Sequence, residues 1–365
     1  MATAEVDRRR VLAHRAVRQQ LDRPGSRPAD LAVLDLGVQD TPYGSARQAL
    51  AARGADGLDD DRLELVWSVR GAPHLHRRAD LPALAAALWP LSDADATRRI
   101  AGQIRAGAEL GRAAFRATAE AFREVVLAET EKGEVSRAVT ARVAPELSYE
   151  CGPCGARHVS GALFQQAGLA GGVRLVVSGR AARLAPLAVR PAPPEQAAGT
   201  TALILTYLRL LGPAAPADVA GFLGTTATEL RAVWPEGLTE VRVDGRRAWL
   251  PAEHLDALRD AEPVEGVRLL PPGDPFLQAR DRDLLVPDRA RQRELWRVLG
   301  NPGALLVDGD VAGTWRVRQS GGRLELTVSP FTAPTKRVAR SIEVEAETVR
   351  AARGAVEVAV RIEPV

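Results

Sequence analysis

The chain has 365 residues, more than one ordinary hydrophobic core accommodates, so two or three domains are expected. Hydrophobic residues make up 46%, yet no run of about 18 uncharged apolar residues occurs, so no membrane-spanning helix is expected. Net charge is only +3, and Lys132 and Lys336 are the only lysines among 49 basic residues. Such arginine excess fits a GC-rich coding bias, and equally a surface that grips phosphate through bidentate guanidinium groups. The opening MATAEVDRRRVLAHRAVRQQL has no apolar signal core. Two cysteines, Cys151 and Cys154, cannot build a disulfide framework. A cytoplasmic setting is therefore expected.

In chain order, VLAHRAVRQQL is apolar at helical spacing, and Arg8, Arg9, Arg10, Arg15 and Arg18 crowd this stretch. A turn and a second helix over DLAVLDLGV follow, with Asp30 near its start. SARQALAARG predicts a third helix, capped by Ser45 and ended by Gly54. DRLELVWSVRGAPHLHRR alternates, breaks at Arg70-Gly71-Ala72-Pro73 and resumes, which predicts a hairpin. Three short helices and a hairpin form the pattern of a winged helix, whose second or third helix often meets a nucleic-acid groove.

The pattern recurs. Residues 93–127 read as strongly helical, EKGEVSRAVTARV and RHVSGALFQQAGL as further helices, and GVRLVVSGRAARLAPL as a hairpin. RPAPPEQAAG, residues 190–199, is the best linker candidate. The clearest copy comes next: TALILTYLRLLG, PAAPADVAGFLG and TTATELRAVW as three helices, then TEVRVDGRRAWLP as a hairpin turning at Asp244-Gly245. The C-terminal part reads as three alternating strands over NPGALLVDGDVAGTWRVRQSGGRLELTVSPF and a closing helix. The expected fold is α+β: tandem winged helices over 1–90, 91–190 and 199–260, and an antiparallel β-rich region over 261–365.

VQDTP, SVRGAPHLH, YLRLLGPA, LLPPGDPFL and ALLVDGDVAGTWR occur in this order across nearly the whole chain. Together they resemble the AlkZ/YcaQ family of winged-helix DNA glycosylases. The resemblance implies tandem winged helices around a basic DNA-binding surface, double-stranded DNA as partner, a monomer, and cleavage of the N-glycosidic bond of alkylated bases, crosslinks included. It implies no metal or organic cofactor. The family's chemistry lies at a Gln, an aliphatic residue, then Gln or Asp, ahead of an Asp/Pro turn. Aligning the Asp-Thr-Pro turn puts Gln39 on the second polar position and Gly37 on the first. A looser alignment makes Gln39 the first and Asp40 its acidic partner, on adjacent positions that share no face. Gln39 and Asp40 are the candidate catalytic residues. The bland alternatives are a backbone-bonding amide and a turn or cap carboxylate. Because Gly37 carries no side-chain dipole, a non-catalytic DNA-binding protein or regulator on the same scaffold stays open.

Arg70, His74 and Arg77 follow as candidate DNA contacts, since the family's similar Arg-Gly-x-x-His segment lies near DNA. His76 reads as a bland wing residue. Arg157, Arg231, the hairpin-tip pair Arg246 and Arg247, and Arg316 complete the candidate DNA-binding set. Trp315 reads as core and Asp274 as a structural turn. Cys151, Cys154 and His158 supply three zinc-type ligands where a closed site wants four. A half zinc knuckle, a tight Gly-Pro turn and a redox pair are the open readings, and no metal is assigned.

Overall fold

A computed structural model describes residues 4–178 and 181–365. The fold is mixed α+β, and no helix among the described residues is long and apolar enough to cross a membrane. Two compact units emerge, each discontinuous in sequence: residues 1–60, 205–218 and 236–365 in one, and 61–204 with 219–235 in the other. These units do not coincide with the four consecutive stretches expected above.

In the first unit, the helix Arg8–Arg18 is capped by Asp7, whose side chain accepts from Arg10 N. The arginine cluster on it is largely structural. Arg15 is fully buried, pairs with Asp281 at 2.6 Å and bonds the carbonyls of Gly212 and Pro213. Arg8 bonds Asp310, and Arg18 reaches His254 Nδ1 at 2.7 Å. The expected second helix forms only as two 3-10 turns, Pro28–Asp30 and Ala32–Asp35, because Leu31 between them is extended (φ −71°, ψ 131°). The helix Ser45–Ala52 forms as expected.

The hairpin Leu238–Val243 with Arg246–Pro251 also forms as expected, and Ala4–Val6 adds to it in parallel. Val6, Val11, Val241, Leu250 and Leu258 fill the space between this sheet and neighbouring helices. The C-terminal sheet has five strands. Val267–Leu270, Gly303–Val307, Asp310–Ser320 and Arg323–Pro330 run antiparallel in sequence order. The sequence reading stops at the helix, here Lys336–Ala352. The structure continues into Glu357–Ile362, which pairs parallel with Arg323–Pro330. The sheet is therefore mixed, with the helix as the crossover that parallel pairing requires. Ile342, Ala346 and Val349 pack that helix onto Leu269, Leu324 and Trp315. Trp315 is core, as expected, and donates from Nε1 to the Leu270 carbonyl at 2.9 Å.

In the second unit, Leu63–Trp67 and Pro73–Arg77 form the expected hairpin, with Trp67 opposite Pro73. Residues 93–127 are helical as expected, in three pieces: Asp93–Ile100, Arg105–Ala108 and Arg112–Val125. Phe115, Phe122 and Phe164 anchor their core together with Trp67 and Trp89. Val173–Ser178 pairs with Ala181–Pro186, and Gly179 and Arg180, within the expected hairpin, lie outside the described residues. Residues 190–199 carry no helix or strand, yet Arg190 bonds the carbonyls of Val126 and Gly171. That stretch is tied down inside one unit rather than free between two.

Candidate active site and nucleic-acid interface

Gln39 ends the short strand Val38–Gln39. Just ahead of it, Gly37 has φ +81° and its N–H donates to the Leu34 carbonyl at 3.1 Å. A side chain would be strained in this left-handed conformation, so glycine is what lets the chain leave the 3-10 turn and enter the strand. The position that aligns with a first amide is thus a backbone hinge.

Gln39 is half-buried, and its side chain lies across Gly273, with its Cδ 3.4 Å from where a Cβ would stand. Gln39 Oε1 accepts from Gln278 Nε2 at 3.2 Å, across 239 residues of sequence. A second amide therefore stands beside the first, from a residue that the sequence analysis did not single out. The family-like stretch LLPPGDPFL stops one residue short of it. Two turns fix Gln278: Asp274 accepts from Phe276 N at 2.9 Å, and Leu277 N donates to the Asp274 carbonyl at 2.9 Å.

Asp274 is anchored in turn by Arg53, and both side chains are fully buried. The guanidinium grips both carboxylate oxygens, at 2.8 and 2.9 Å, and also bonds Gln19 and the Ala49 carbonyl. A buried pair with all its donors used is geometrically rigid, and removing one partner strands a charge. The expectation that Asp274 is structural agrees with this geometry.

Asp40, the next residue after Gln39, turns the other way. It is buried and accepts from Ala46 N at 2.9 Å, with further bonds from the N–H groups of Gly44 and Ser45. Burial raises its carboxyl above the usual carboxylate range, and the three N–H donors oppose that rise. Asp40 thus caps the helix Ser45–Ala52 from a distance. Ser45, expected to be the cap, sits inside the first turn after Gly44, and its buried Oγ finds no partner among the described residues.

The candidate DNA contacts fall into two groups. In the hairpin after Asp61, Arg70 has φ +56°, donates to the Phe222 carbonyl and lies 5.5 Å over the Phe222 ring. Its guanidinium is used within its own unit. His74 is 2% exposed, and its Nδ1 lies 2.9 Å from the Ala72 carbonyl. Burial, helped by the nearby Arg70 charge, lowers it to about 4, so the ring is neutral at pH 7. This places His74 inside the protein rather than toward a phosphate. His76 is buried as well, with Nε2 at 2.9 Å from Ser68 Oγ. Arg77 lies 3.4 Å from Asp80.

Arg157 reaches Ser148 Oγ and the Pro145 carbonyl, both at 2.8 Å, yet stays half-exposed. Arg231 is exposed on the 3-10 turn Arg231–Val233. In the other unit, Arg246 and Arg247 start the second strand of the Asp244-Gly245 hairpin and are exposed. Arg247 pairs with Glu240 across the strands and lies over Trp249 at 5.3 Å. Arg316 is exposed on its strand and bonds the Gly300 carbonyl at 2.8 Å. With Arg70 bonded to Phe222 and Arg77 beside Asp80, the exposed cations of the set are Arg157, Arg231, Arg246, Arg247 and Arg316.

Three comparisons bear on this arrangement. A family model described as DNA glycosylase AlkZ-like matches residues 35–352. An interstrand DNA cross-link repair glycosylase from Streptomyces sahachiroi is 32% identical over 179 residues, which is 46% of each chain. The solved structure of Streptomyces sahachiroi DNA glycosylase AlkZ superposes with a TM-score of 0.74 at 22% identity, covering 98% of this chain and 100% of that one. The fold is shared end to end, and with most of its length matched by the family model, the chain belongs to the AlkZ-like DNA glycosylase family.

Proposed function

We propose that this protein is a DNA glycosylase that hydrolyses the N-glycosidic bond of alkylated purine nucleotides in double-stranded DNA, acting as a monomer. Crosslinked nucleotides belong to the same substrate class, in line with the name of the Streptomyces relative. The observation that carries this reading is the Gln39–Gln278 amide pair inside a family-matched segment.

An N7-alkylated purine is already cationic and leaves without strong acid catalysis. The enzyme then needs to orient a water at C1′ and favour the positive charge developing on the sugar. With Gln278 donating to one lone pair of Gln39 Oε1, the other lone pair is open to accept from a water, and Gln39 Nε2 remains a donor. Glutamine does not ionise, so the contribution is orientation and dipole rather than proton removal. Asp40 acts as a positioning residue: it locks the 37–46 turn through the helix it caps. Gln278 supplies the second amide that Gly37 lacks.

The central copy, residues 199–260, supports a winged helix as the DNA-gripping element. Thr200–Leu211, Pro216–Leu223 and Ala227–Leu230 precede the hairpin Leu238–Pro251, and Ala214 bridges to Trp249. Arg246 and Arg247 would take phosphate contacts at its tip, with Arg231 and Arg316 as further surface cations.

Gly37 favours one competing reading, a DNA-binding protein without catalysis. Incubation with duplex carrying N7-methylguanine decides between them. Free N7-methylguanine released by wild-type protein and not by Gln39→Ala, with DNA affinity retained, supports the glycosylase. Tight binding with no base released over many hours supports the other.

A further inference from the structure

We propose that Cys151, Cys154 and His158 form a metal site that takes one Zn²⁺, with its fourth position open to water. Their ligand atoms all lie within 4.8 Å of one another, and no other such group occurs among the described residues. Tetrahedral Zn–S bonds of about 2.3 Å and a Zn–N bond of about 2.0 Å place ligand atoms roughly 3.5–3.8 Å apart. Modest rotations of three accessible side chains close that difference.

The backbone prepares the site. Ser148–Cys151 and Ala156–Val159 form a small hairpin in which Tyr149 faces His158 and Cys151 faces Ala156. Gly152–Cys154 makes one 3-10 turn, and Gly155 follows at φ +60°. The Gly155 N–H donates to the Cys151 carbonyl at 2.9 Å. Positive φ there turns the chain out of the 3-10 turn and into the returning strand that carries His158, and a side chain at that position would be strained.

The surrounding polar groups fit as well. His158 Nδ1 lies 3.1 Å from the Val159 carbonyl. With Nδ1–H donating to that carbonyl, the lone pair of Nε2 is the one a metal would take. Tyr149, opposite His158 across the hairpin, accepts from Gln103 Nε2 at 2.9 Å. Metal loading forms two Zn–S bonds and one Zn–N bond and releases two thiol protons to solvent. A structural zinc would have a fourth protein ligand, and none gathers here among the described residues. The site therefore staples the hairpin that carries Arg157 while keeping an exchangeable position.

Cobalt substitution of the full-length reduced protein tests the site. Equimolar Co²⁺ should give a thiolate-to-metal charge-transfer band with tetrahedral d–d bands, displaced by Zn²⁺, and elemental analysis should find about one zinc per chain. Cys151→Ser and Cys154→Ser should each abolish the charge-transfer band or reduce it to a minor fraction, and His158→Ala should weaken Zn²⁺ affinity by about tenfold or more. Far-UV circular dichroism of the variants, and chelator reversal on the wild type, separate metal loss from misfolding. A missing band at stoichiometric Co²⁺, or one retained when both cysteines are replaced, overturns the proposal. So does loss of both free thiols in air without metal uptake, which would identify a disulfide pair instead.

Discussion

The loop around Gln39 and the hairpin around His74 look alike in sequence, each ending an apolar run in a turn that carries polar side chains. In the first, Gln39 is half-buried and bonded to another amide, with hydrogen-bonding capacity left over. In the second, His74 is buried, neutral and bonded to its own turn, and Arg70 is taken up by Phe222. Residue type does not separate a site from a structural turn. What separates them is how much hydrogen-bonding capacity the fold leaves unspent: Gln278 takes only part of it at Gln39, while burial and the Ala72 carbonyl take up His74.

The comparison can be broken most forcefully at the Arg53–Asp274 pair. Arg53→Ala strands a buried carboxylate and should cost about 3–5 kcal/mol, read from the shift in guanidinium unfolding midpoint. The exposed Arg247–Glu240 pair is the control: Arg247→Ala should change stability by no more than about 1 kcal/mol. Equal effects would mean that Asp274 is not the anchor of the 271–278 loop.

Next in size, Gln39→Ala should slow base release by about 10²–10³-fold, the range for removing one preorganised dipole. His74→Gln should slow it far less, since His74 faces no open surface. A His74 effect as large as that of Gln39 would reverse the contrast between the two regions.

Asp40→Ala should cost about 0.5–2 kcal/mol as a lost helix cap, and Asp40→Asn less, because an acceptor remains. Burial raises the Asp40 carboxyl on folding. A raised group adds stability at pH below its unfolded value, and that contribution is lost as pH climbs through the folded one. Asp40→Asn should flatten this part of the stability profile in denaturation experiments on either side of the carboxylate range. His74 has the opposite sign. Lowered from 6.5 to about 4, it leaves the folded state less protonated than the unfolded, so stability falls as pH drops from about 6.5 toward 4. Its ring resonances in NMR should stay those of neutral imidazole at pH 5.5. The smallest effect belongs to Arg246→Ala, which should reduce the slope of log affinity against log salt by about one.

Much of the fold was legible because local rules decided it. Asp244-Gly245 and Asp308-Gly309 turn their hairpins with φ values of 47° and 79°, and 47° and 83°. Thr226 caps its helix, accepting from Glu229 N at 3.2 Å. Where the reading departed, a distant or competing partner had decided. Asp40 took the capping role from Ser45, five residues on. Leu31 broke a helix whose periodicity looked continuous. Glu357–Ile362 alternates as a strand does, although the sequence reading stops short of it; its parallel pairing with Arg323–Pro330 is the part set at a distance. At the site, Gln39 was legible from its family-like turn, but Gln278 was not, since no local pattern ties residues 239 positions apart.

Single-turnover base release from N7-methylguanine duplex by wild type, Gln39→Ala, Gln278→Ala and the double variant tests the amide pair directly. The pair predicts that each single variant is slowed with DNA affinity kept, and that the double variant is little slower than Gln39→Ala alone. Strictly multiplicative losses, or a Gln278→Ala protein as fast as wild type, would contradict it.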